Sequence, residues 1–238
     1  MQLFHIDADK VRIKWNNIEV FSVHELLSQL RKVLRIKKWD KICVQYSNKE
    51  STTRYELSIT DWTDKDLYWE IISNQIFSFS KNHISMLIAM PNKREKAELI
   101  VQKLTEIWVE NIYFWVSEHS IIRQWNEKKA ERLDKISHEA VEQSRWIQLP
   151  EIKCLKSEKE LKNFINWKTV IIANMNWLPY WELAKIESND LCGIIWPEGW
   201  FSPKDLKLFD NAKIVDLWKN VLRMETASIV LWWILKNI

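Results

Sequence analysis

The chain has 238 residues, of which 47% are hydrophobic, enough for one large packed domain or two smaller ones. Its 35 Lys and Arg against 32 Asp and Glu leave a net charge of +3, which is compatible with nucleic-acid binding but does not argue for it. No stretch approaches the roughly 20 apolar residues of a membrane span, and the N-terminal MQLFHIDADK carries charges where a signal peptide needs an apolar run. We expect a soluble, cytoplasmic protein without a membrane partner.

The cysteines indicate neither a disulfide framework nor a metal site. Cys43, Cys154 and Cys192 are odd in number, and they have no C-x-x-C spacing and no neighbouring histidine. We therefore expect buried free thiols and no bound metal.

Glycine and tryptophan occur in unusual numbers. The chain has 2 Gly and 16 Trp, whereas average usage would give about 17 Gly in this length. Tryptophan cannot supply the positive φ and the close backbone approach that glycine supplies. We hypothesise that many of these codons are UGA, decoded as glycine in the source organism. The alternative is a truly tryptophan-rich protein, which UGG codons in the gene would establish.

In chain order, the first part is predicted to form short strands. Alternating or β-rich segments lie at residues 11–14, 42–46, 55–60 and 67–72. One helix, residues 24–34, interrupts them, and it ends in a basic cluster that is either a solvated face or an RNA-contacting edge. We predict a β-rich first domain over residues 1–76.

From residue 77 to residue 238 the pattern changes to strands alternating with longer helices. A strand at 84–90 is followed by Asn92 and Glu95, a capping box that predicts the start of a helix. A second helix is predicted at 127–144 and a last one from about 226, with further strands at 112–116, 169–173, 191–195 and 213–217. Such alternation predicts an α/β domain with a parallel sheet covered on both faces.

Two loops after predicted strands are the first candidates for a binding site, because ligands of parallel sheets bind beyond the carboxyl ends of the strands. The loops span residues 196–203 and 218–227. With glycine at 196, 200 and 218, the two segments read IGPEGGFS and LGKNVLRMETA.

This pair resembles the motif pair of the RsmE family, SPOUT-superfamily methyltransferases that modify N3 of a uridine in 16S ribosomal RNA. Further segments resemble family motifs, namely Lys96-Ala97-Glu98, Gln102-Lys103, residues 105–109, Ser117-Glu118, Glu142-Gln143-Ser144, and Val33-Leu34-Arg35 with Lys38-Trp39-Asp40. Five tryptophans fall on family glycines: Trp39, Trp108, Trp196, Trp200 and Trp218. The chain departs from the family pattern at Arg94, His119 and Met224.

The resemblance implies a fold that pattern alone does not give. It implies a small PUA-like β-barrel domain over residues 1–76, followed by a SPOUT domain over residues 77–238. The parallel sheet of the second domain would hold its cofactor in a trefoil knot. Pattern alone predicts an ordinary doubly wound sheet.

The resemblance also implies S-adenosylmethionine as cofactor, 16S ribosomal RNA in the small subunit as partner, and a homodimer. The implied cofactor-binding residues are Ala173, Ile195, Trp196, Glu198, Gly199, Leu217, Trp218, Asn220, Leu222 and Thr226. For the reaction, Arg223 would stabilise charge on the uracil oxygens; its alternative role is an ion pair with Glu225 or with a carboxylate of another subunit. Glu225 would either accept a proton or have a structural role at a helix N-terminus, and the second role is favoured. Candidate RNA-binding residues are Arg31, Lys32, Arg35, Lys93, Arg123 and Arg145. Two alternatives remain: a non-catalytic RNA-binding or ribosome-assembly protein on the same scaffold, and a SPOUT methyltransferase acting on another RNA.

Overall fold

The computed structural model describes residues 2–6, 11–14, 17–20, 28, 30, 32, 34–48, 50–62, 67–79, 83–186, 188–197, 199 and 201–238. The chain divides into two compact units. The first comprises Met1–Phe79 and Val141–Gln148, and the second comprises Ser80–Ala140 and Leu149–Ile238. The sequence placed a single boundary at residues 76 and 77, so the return of 141–148 to the first unit was not anticipated.

The first unit is built on a four-stranded sheet in the order β1-β4-β5-β6. Its strands are β1 (Leu3–His5), β4 (Lys41–Ser47), β5 (Ser51–Trp62) and β6 (Leu67–Ser78), with β1 parallel to β4 and the other pairs antiparallel. A separate hairpin pairs β2 (Val11–Lys14) with β3 (Asn17–Val20). Alternate residues of β5 are buried, so that one face of the sheet carries the core, which includes Phe4, Val44, Leu57, Ile59 and Trp69.

Residues 141–148 are bonded into the first unit through polar groups of β4 and β5. Gln45 donates to the carbonyl of Trp146 at 2.7 Å, and Arg54 donates to the carbonyl of Arg145 at 2.8 Å. These residues are separated by about ninety to a hundred positions in the chain. The helix predicted at 24–34 lies largely outside the described residues.

The second unit contains a six-stranded sheet in the order β12-β10-β11-β7-β8-β9, in which every neighbouring pair is parallel. The strands are β7 (His83–Ala89), β8 (Asn111–Trp115), β9 (Glu151–Leu155), β10 (Thr169–Pro179), β11 (Asp190–Ile195) and β12 (Lys213–Asp216). The α/β prediction with a parallel sheet is confirmed. β9 was not among the predicted strands.

Among the residues that the structure describes, five helices connect these strands or follow them. They are α1 (Arg94–Glu106), α2 (Glu127–Ser144), α3 (Glu158–Ile165), the single turn α4 (Pro203–Leu206) and α5 (Met224–Lys236). Two short 3₁₀ segments lie at Tyr180–Lys185 and Lys207–Phe209. Within the described part of the chain, no helix has the length and apolar character needed to cross a membrane.

The last helix packs on the sheet where β11 carries a glycine. A Cβ at Gly193 would lie 2.9 Å from Leu231, Leu235 and Met86, so the helix approaches this strand closely. Leu231, Trp232 and Leu235 are buried. Much of the apolar surface of α5 is therefore covered inside the second unit.

Two details of the predicted helix starts are wrong. The capping box at Asn92 and Glu95 is not formed: α1 begins at Arg94, and its N-cap is Lys93, which makes no side-chain capping bond. The last helix begins at Met224, two residues earlier than expected, with Arg223 as an extended N-cap. The residue at which a helix begins depends on how its first turn packs, and the pattern of side chains in the sequence gives little information on that packing.

Two of the tryptophans assigned to glycine positions have left-handed backbone. The φ angle is 72° at Trp39 and 78° at Trp108. Trp108 follows the C-cap of α1, Ile107, and its N–H donates to Thr105, while the N–H of Val109 donates to Leu104. This is the Schellman arrangement, which most often has glycine at this position because an added Cβ is strained there.

Candidate functional site

A concave feature of the second unit lies at the carboxyl ends of β11 and β12 and beside the middle of β10. It is a cavity of about 360 Å³. Its walls come from these three strands, from the loops that follow β11 and β12, and from α1 and α5. The lining residues are Lys96, Ala173, Asn174, Ile195, Trp196, Pro197, Asp216, Leu217, Trp218, Asn220, Val221, Leu222, Arg223, Met224 and Ala227. The parallel strands β11 and β12, on either side of β10, end here, so the site lies where open α/β sheets bind ligands.

The cavity combines an apolar lining with a few polar groups. Ile195 and Leu217 are buried at the ends of their strands, and Leu222 and Ala227 add apolar surface. Polar groups come from Lys96, Asn174, Asp216, Asn220 and Arg223. This volume and mixture are typical of a small-molecule or cofactor site.

The loop after β12 is shaped by its own backbone. The carboxylate of Asp216 accepts a hydrogen bond from the N–H of Trp218 at 3.2 Å, which fixes the start of the loop. At its end, the carbonyl of Arg223 accepts from the N–H of Ala227 at 2.8 Å and begins α5. The side chain of Arg223 is exposed, and it makes no hydrogen bond or ion pair with any residue that the structure describes. Its guanidinium is therefore available to a ligand in the cavity.

Glu225 lies beside the cavity without lining it. It is in the first turn of α5, where a carboxylate interacts favourably with the helix dipole. Its Oε2 is buried and, within the described ranges, accepts no hydrogen bond. No ion pair joins Glu225 to Arg223 among these residues.

The loop after β11 brings an indole into the cavity. Trp196 donates from Nε1 to the carbonyl of Ala173, and its ring packs on Phe201 with centroids 4.4 Å apart. Phe201 also contacts Trp115 and Phe209. The indole thus occupies space that glycine at position 196 would leave to a ligand.

The cavity brings together eight residues singled out from the sequence: Ala173, Ile195, Trp196, Leu217, Trp218, Asn220, Leu222 and Arg223. Gly199, Glu225 and Thr226 are not among its lining residues, and Glu198 lies outside the described residues. Sequence reasoning missed Lys96, Asn174 and Asp216 as lining residues. Asn174 and Asp216 are polar residues within or at the end of strands, a signal that was present in the sequence.

The RNA-binding candidates are exposed wherever they are described. Lys32, Arg35 and Arg145 belong to the first unit, and Lys93 and Arg123 belong to the second. Arg123 donates to the carbonyl of Glu118 at 2.5 Å. Arg31 lies outside the described residues.

The thiols are poor candidates for chemistry. Cys192 is buried, and burial raises its pKa to about 12. Cys154 is half-buried, and burial raises its pKa to about 11. Cys43 is also half-buried, so the expectation of three buried thiols holds fully only for Cys192. In the part of the chain that the structure describes, no group of three or more His, Cys, Asp or Glu could hold a metal ion.

Comparisons with known proteins place this geometry in a family. A ribosomal RNA small subunit methyltransferase E from Rickettsia conorii is 29% identical over 159 residues, 63% of this chain and 63% of that protein. The chain therefore matches less than two thirds of that relative's length.

Three solved structures share the fold over almost the whole chain. A ribosomal RNA small subunit methyltransferase E from Neisseria gonorrhoeae, bound to S-adenosyl methionine, has a TM-score of 0.80 at 19% identity and covers 100% of this chain and 97% of its own. A putative methyltransferase from Legionella pneumophila with bound cofactor SAM has a TM-score of 0.78 at 20% identity, covering 100% and 98%. A probable rRNA-methyltransferase from Porphyromonas gingivalis has a TM-score of 0.76 at 23% identity, covering 99% and 98%.

The family model described as RNA methyltransferase domain matches residues 79–236, which include every strand and helix of the six-stranded sheet domain. The motif resemblance is thereby confirmed, and the chain belongs to the RNA methyltransferase domain family.

Proposed function

We propose that this protein transfers a methyl group from S-adenosylmethionine to N3 of a uridine in 16S ribosomal RNA of the small subunit. The observation that carries the proposal is the convergence of two motif loops on one cavity. The loops after β11 and β12 are separated in the chain by α4 and β12, yet both line the site at the carboxyl edge of the sheet. The family and the small-subunit methyltransferase from Rickettsia conorii support the same reaction.

The residues of the cavity fit this cofactor in size and chemistry. Ile195, Leu217 and Leu222 offer an apolar surface for an adenine ring, and Asn174 and Asp216 offer polar groups for a ribose or an amino acid. When bound, S-adenosylmethionine supplies a methyl group on a sulfonium that is already electrophilic. The protein's task is to align the acceptor and to favour loss of the N3 proton.

Arg223 is the residue that we assign to the acceptor base. Loss of the N3 proton places negative charge on the uracil carbonyl oxygens, and a guanidinium held at the cavity stabilises that charge. Arg223 lines the cavity, and it has no hydrogen-bond or ion-pair partner within the described parts of the chain. It is therefore not committed to a structural ion pair.

For Glu225 we favour a structural role over proton transfer. Its place in the first turn of α5 suits a carboxylate at a helix N-terminus, and it does not line the cavity. The proton acceptor alternative predicts that Glu225→Gln abolishes the rise of the methylation rate with pH. The structural role predicts that the pH profile keeps its shape while thermal stability falls.

Several finer features belong to the same proposal. We infer that the four-stranded sheet of the first unit is part of a PUA-like RNA-binding barrel and that the second unit carries the trefoil knot of SPOUT enzymes. We also infer a cytoplasmic homodimer. The fold shared with the Neisseria gonorrhoeae enzyme over the whole chain supports the first two inferences, and the motif resemblance supports the homodimer.

Calorimetry with S-adenosylmethionine, followed by methyl transfer to isolated small subunits, tests the function. We expect binding and the incorporation of one labelled methyl group at a uridine. Labelling of transfer RNA with none in the small subunit would favour the SPOUT methyltransferase that acts on another RNA.

A non-catalytic RNA-binding protein is the second candidate, and one observation favours it if Trp196 is genuine. The indole of Trp196 then occupies part of the cavity. The two candidates are separated by the triple substitution Trp196→Gly, Trp200→Gly and Trp218→Gly. The enzyme predicts that this variant binds S-adenosylmethionine more tightly than the chain as written, whereas the non-catalytic protein predicts no binding by either.

The basic residues that we assign to RNA are tested independently of the cofactor. Replacing Arg31, Lys32 and Arg35 together by Ala should weaken small-subunit binding and reduce its salt dependence while leaving S-adenosylmethionine affinity unchanged. Unchanged subunit affinity would refute this assignment.

A further inference from the structure

A buried carboxylate joins two loops at the carboxyl edge of the sheet. Asp205, in the single turn α4, is only 3% exposed. Its Oδ2 accepts from the N–H of Ser202 at 3.1 Å, and its Oδ1 accepts from the N–H of Glu118 at 3.2 Å. Ser202 lies at the end of the loop after β11, and Glu118 lies in the loop after β8, so one side chain bonds both.

The bond to Glu118 goes beyond what capping requires. Ser202 accepts from the N–H of Asp205 at 3.1 Å, and with the return bond from Asp205 this completes a capping box within α4. The additional bond spans 87 positions in the chain. Because β7 lies between β8 and β11 in the sheet, it also bridges across the end of a strand.

A second contact joins the same two loops. The ring Nδ1 of His119 lies 3.1 Å from the carbonyl oxygen of Gly199 and donates to it in the matching tautomer. The turn that presents His119 is closed from within, because Ser120 Oγ accepts from the N–H of Ser117 at 3.1 Å. Two consecutive residues, Glu118 and His119, thus contact the last and the first residue of the segment from 199 to 205.

The joined loops have separate tasks under the proposed function, on which this step rests. The loop after β11 contributes Trp196 and Pro197 to the cofactor cavity. The loop after β8 leads to Arg123, an RNA-binding candidate whose guanidinium donates to the carbonyl of Glu118. Glu118 therefore takes part in both contacts: its N–H donates to Asp205, and its carbonyl accepts from Arg123.

We propose that Asp205 is a positioning residue that holds the loop after β8 against the cofactor loop. Through this carboxylate, the backbone at 196 and 197 and the RNA-facing loop at 117–123 are fixed relative to each other. A buried charge satisfied by two backbone donors is strong and directional, which suits this role.

The test is Asp205→Asn, which keeps the shape of the side chain but replaces an anionic acceptor by an amide. We expect amide hydrogen exchange at residues 117–120 and 199–202 to become about tenfold faster in the protein without cofactor. We also expect the KM for S-adenosylmethionine to rise about tenfold with a smaller change in kcat. Lys204→Ala is the matched control, since Lys204 is an exposed neighbour in α4 that pairs with Glu158 at 3.5 Å. It should change neither quantity.

A purely local role for Asp205 would overturn the proposal. In that case exchange accelerates at 202–206 alone, as in Ser202→Ala, and residues 117–120 keep their protection. If Asp205→Asn does not fold, Asp205→Glu, which keeps the charge and displaces it by one methylene, is measured against the same two outcomes. Exchange is read without cofactor or RNA, so a protein that fails to methylate RNA but shows the coupled exchange refutes the function and not the link between the loops.

Discussion

Position 108 offers a direct test of whether the backbone favours glycine at a position where the sequence has tryptophan. Trp108 has a φ of 78° and ends α1 in a Schellman motif. We consider two replacements, Trp108→Gly and Trp108→Ala. Both remove the indole together with whatever contacts it makes, so the difference between them reports the backbone alone.

The expected difference follows from the left-handed conformation. An L-residue with a Cβ is strained there by about 1–2 kcal/mol, whereas glycine is not. Glycine loses part of this advantage because it has more conformational freedom in the unfolded chain. We therefore expect Trp108→Gly to be more stable than Trp108→Ala by about 1 kcal/mol.

Trp233 supplies the matched control. It is an exposed tryptophan inside α5, with ordinary helical backbone. At such a position alanine is more stable than glycine by about 1 kcal/mol. The order of the two replacements should thus invert between the two positions, and the two differences should be about 2 kcal/mol apart.

Urea unfolding followed by circular dichroism measures all four variants. The inversion is read from the free energies of unfolding at a common m-value. If alanine is as stable as glycine at position 108, or if both positions show the same order, the assignment of a glycine position is refuted. A peptide mass from the source organism that shows tryptophan at 108 would refute the UGA hypothesis there.

Three further predictions concern packing, charge and catalysis. Gly193→Ala should destabilise the protein by about 1–3 kcal/mol in thermal unfolding, because the new Cβ would meet three side chains at 2.9 Å. Burial alone would raise the pKa of Glu98, but hydrogen bonds from Arg132 and Arg94 outweigh it and hold the pKa below its ordinary value. The stability from this carboxylate is therefore present above its unfolded-state pKa and is lost as pH falls through the folded-state pKa. Glu98→Gln should cost about 0.5–1 kcal/mol at neutral pH and nothing in strong acid, as urea titrations at several pH values would show. Arg223→Ala should lower single-turnover methyl transfer about 10²–10³-fold at saturating S-adenosylmethionine, and an unchanged rate would remove Arg223 from the reaction.

The parallel sheet could be predicted because its strands carry continuous apolar runs between amphipathic helices. The buried run of β7 and the buried stripe of α1 show this pattern plainly. The return of 141–148 to the first unit could not be predicted, since it depends on bonds from Gln45 and Arg54 to distant carbonyls. Local pattern contains no record of such contacts.

The candidate site was predictable to the extent that it follows strand ends. Ile195 is the last residue of β11, and Leu217 directly follows β12. Both line the cavity. Lys96 lines the same cavity from α1. In the sequence, its position indicates only that it belongs to a helix and not that it lines a site. Helix packing against the sheet decides that approach, and no local pattern encodes it.

The structure separates tryptophans that suit their surroundings from tryptophans at positions that favour glycine, which the number of tryptophans alone does not do. The composition leads to the hypothesis that many of them replace glycine, but it does not indicate which. Trp69, at 3% exposure, fills the core of the first unit, where glycine would leave a cavity, so tryptophan suits this position. Trp39 and Trp108 have positive φ and expose much of their side chains, so glycine suits both backbone and surroundings.

Backbone angle alone is not enough to make this assignment. Arg35 and Arg145 also have positive φ, and neither is affected by a UGA codon. The assignment is strong where the angle coincides with a family glycine, as at Trp39 and Trp108. At Trp196 and Trp218 the second criterion is the cavity itself, because the lining that a cofactor must approach is occupied by indole. Glycine is favoured for two different physical reasons, a positive φ and the close approach of a ligand. Both reasons point to positions where the family motifs have glycine.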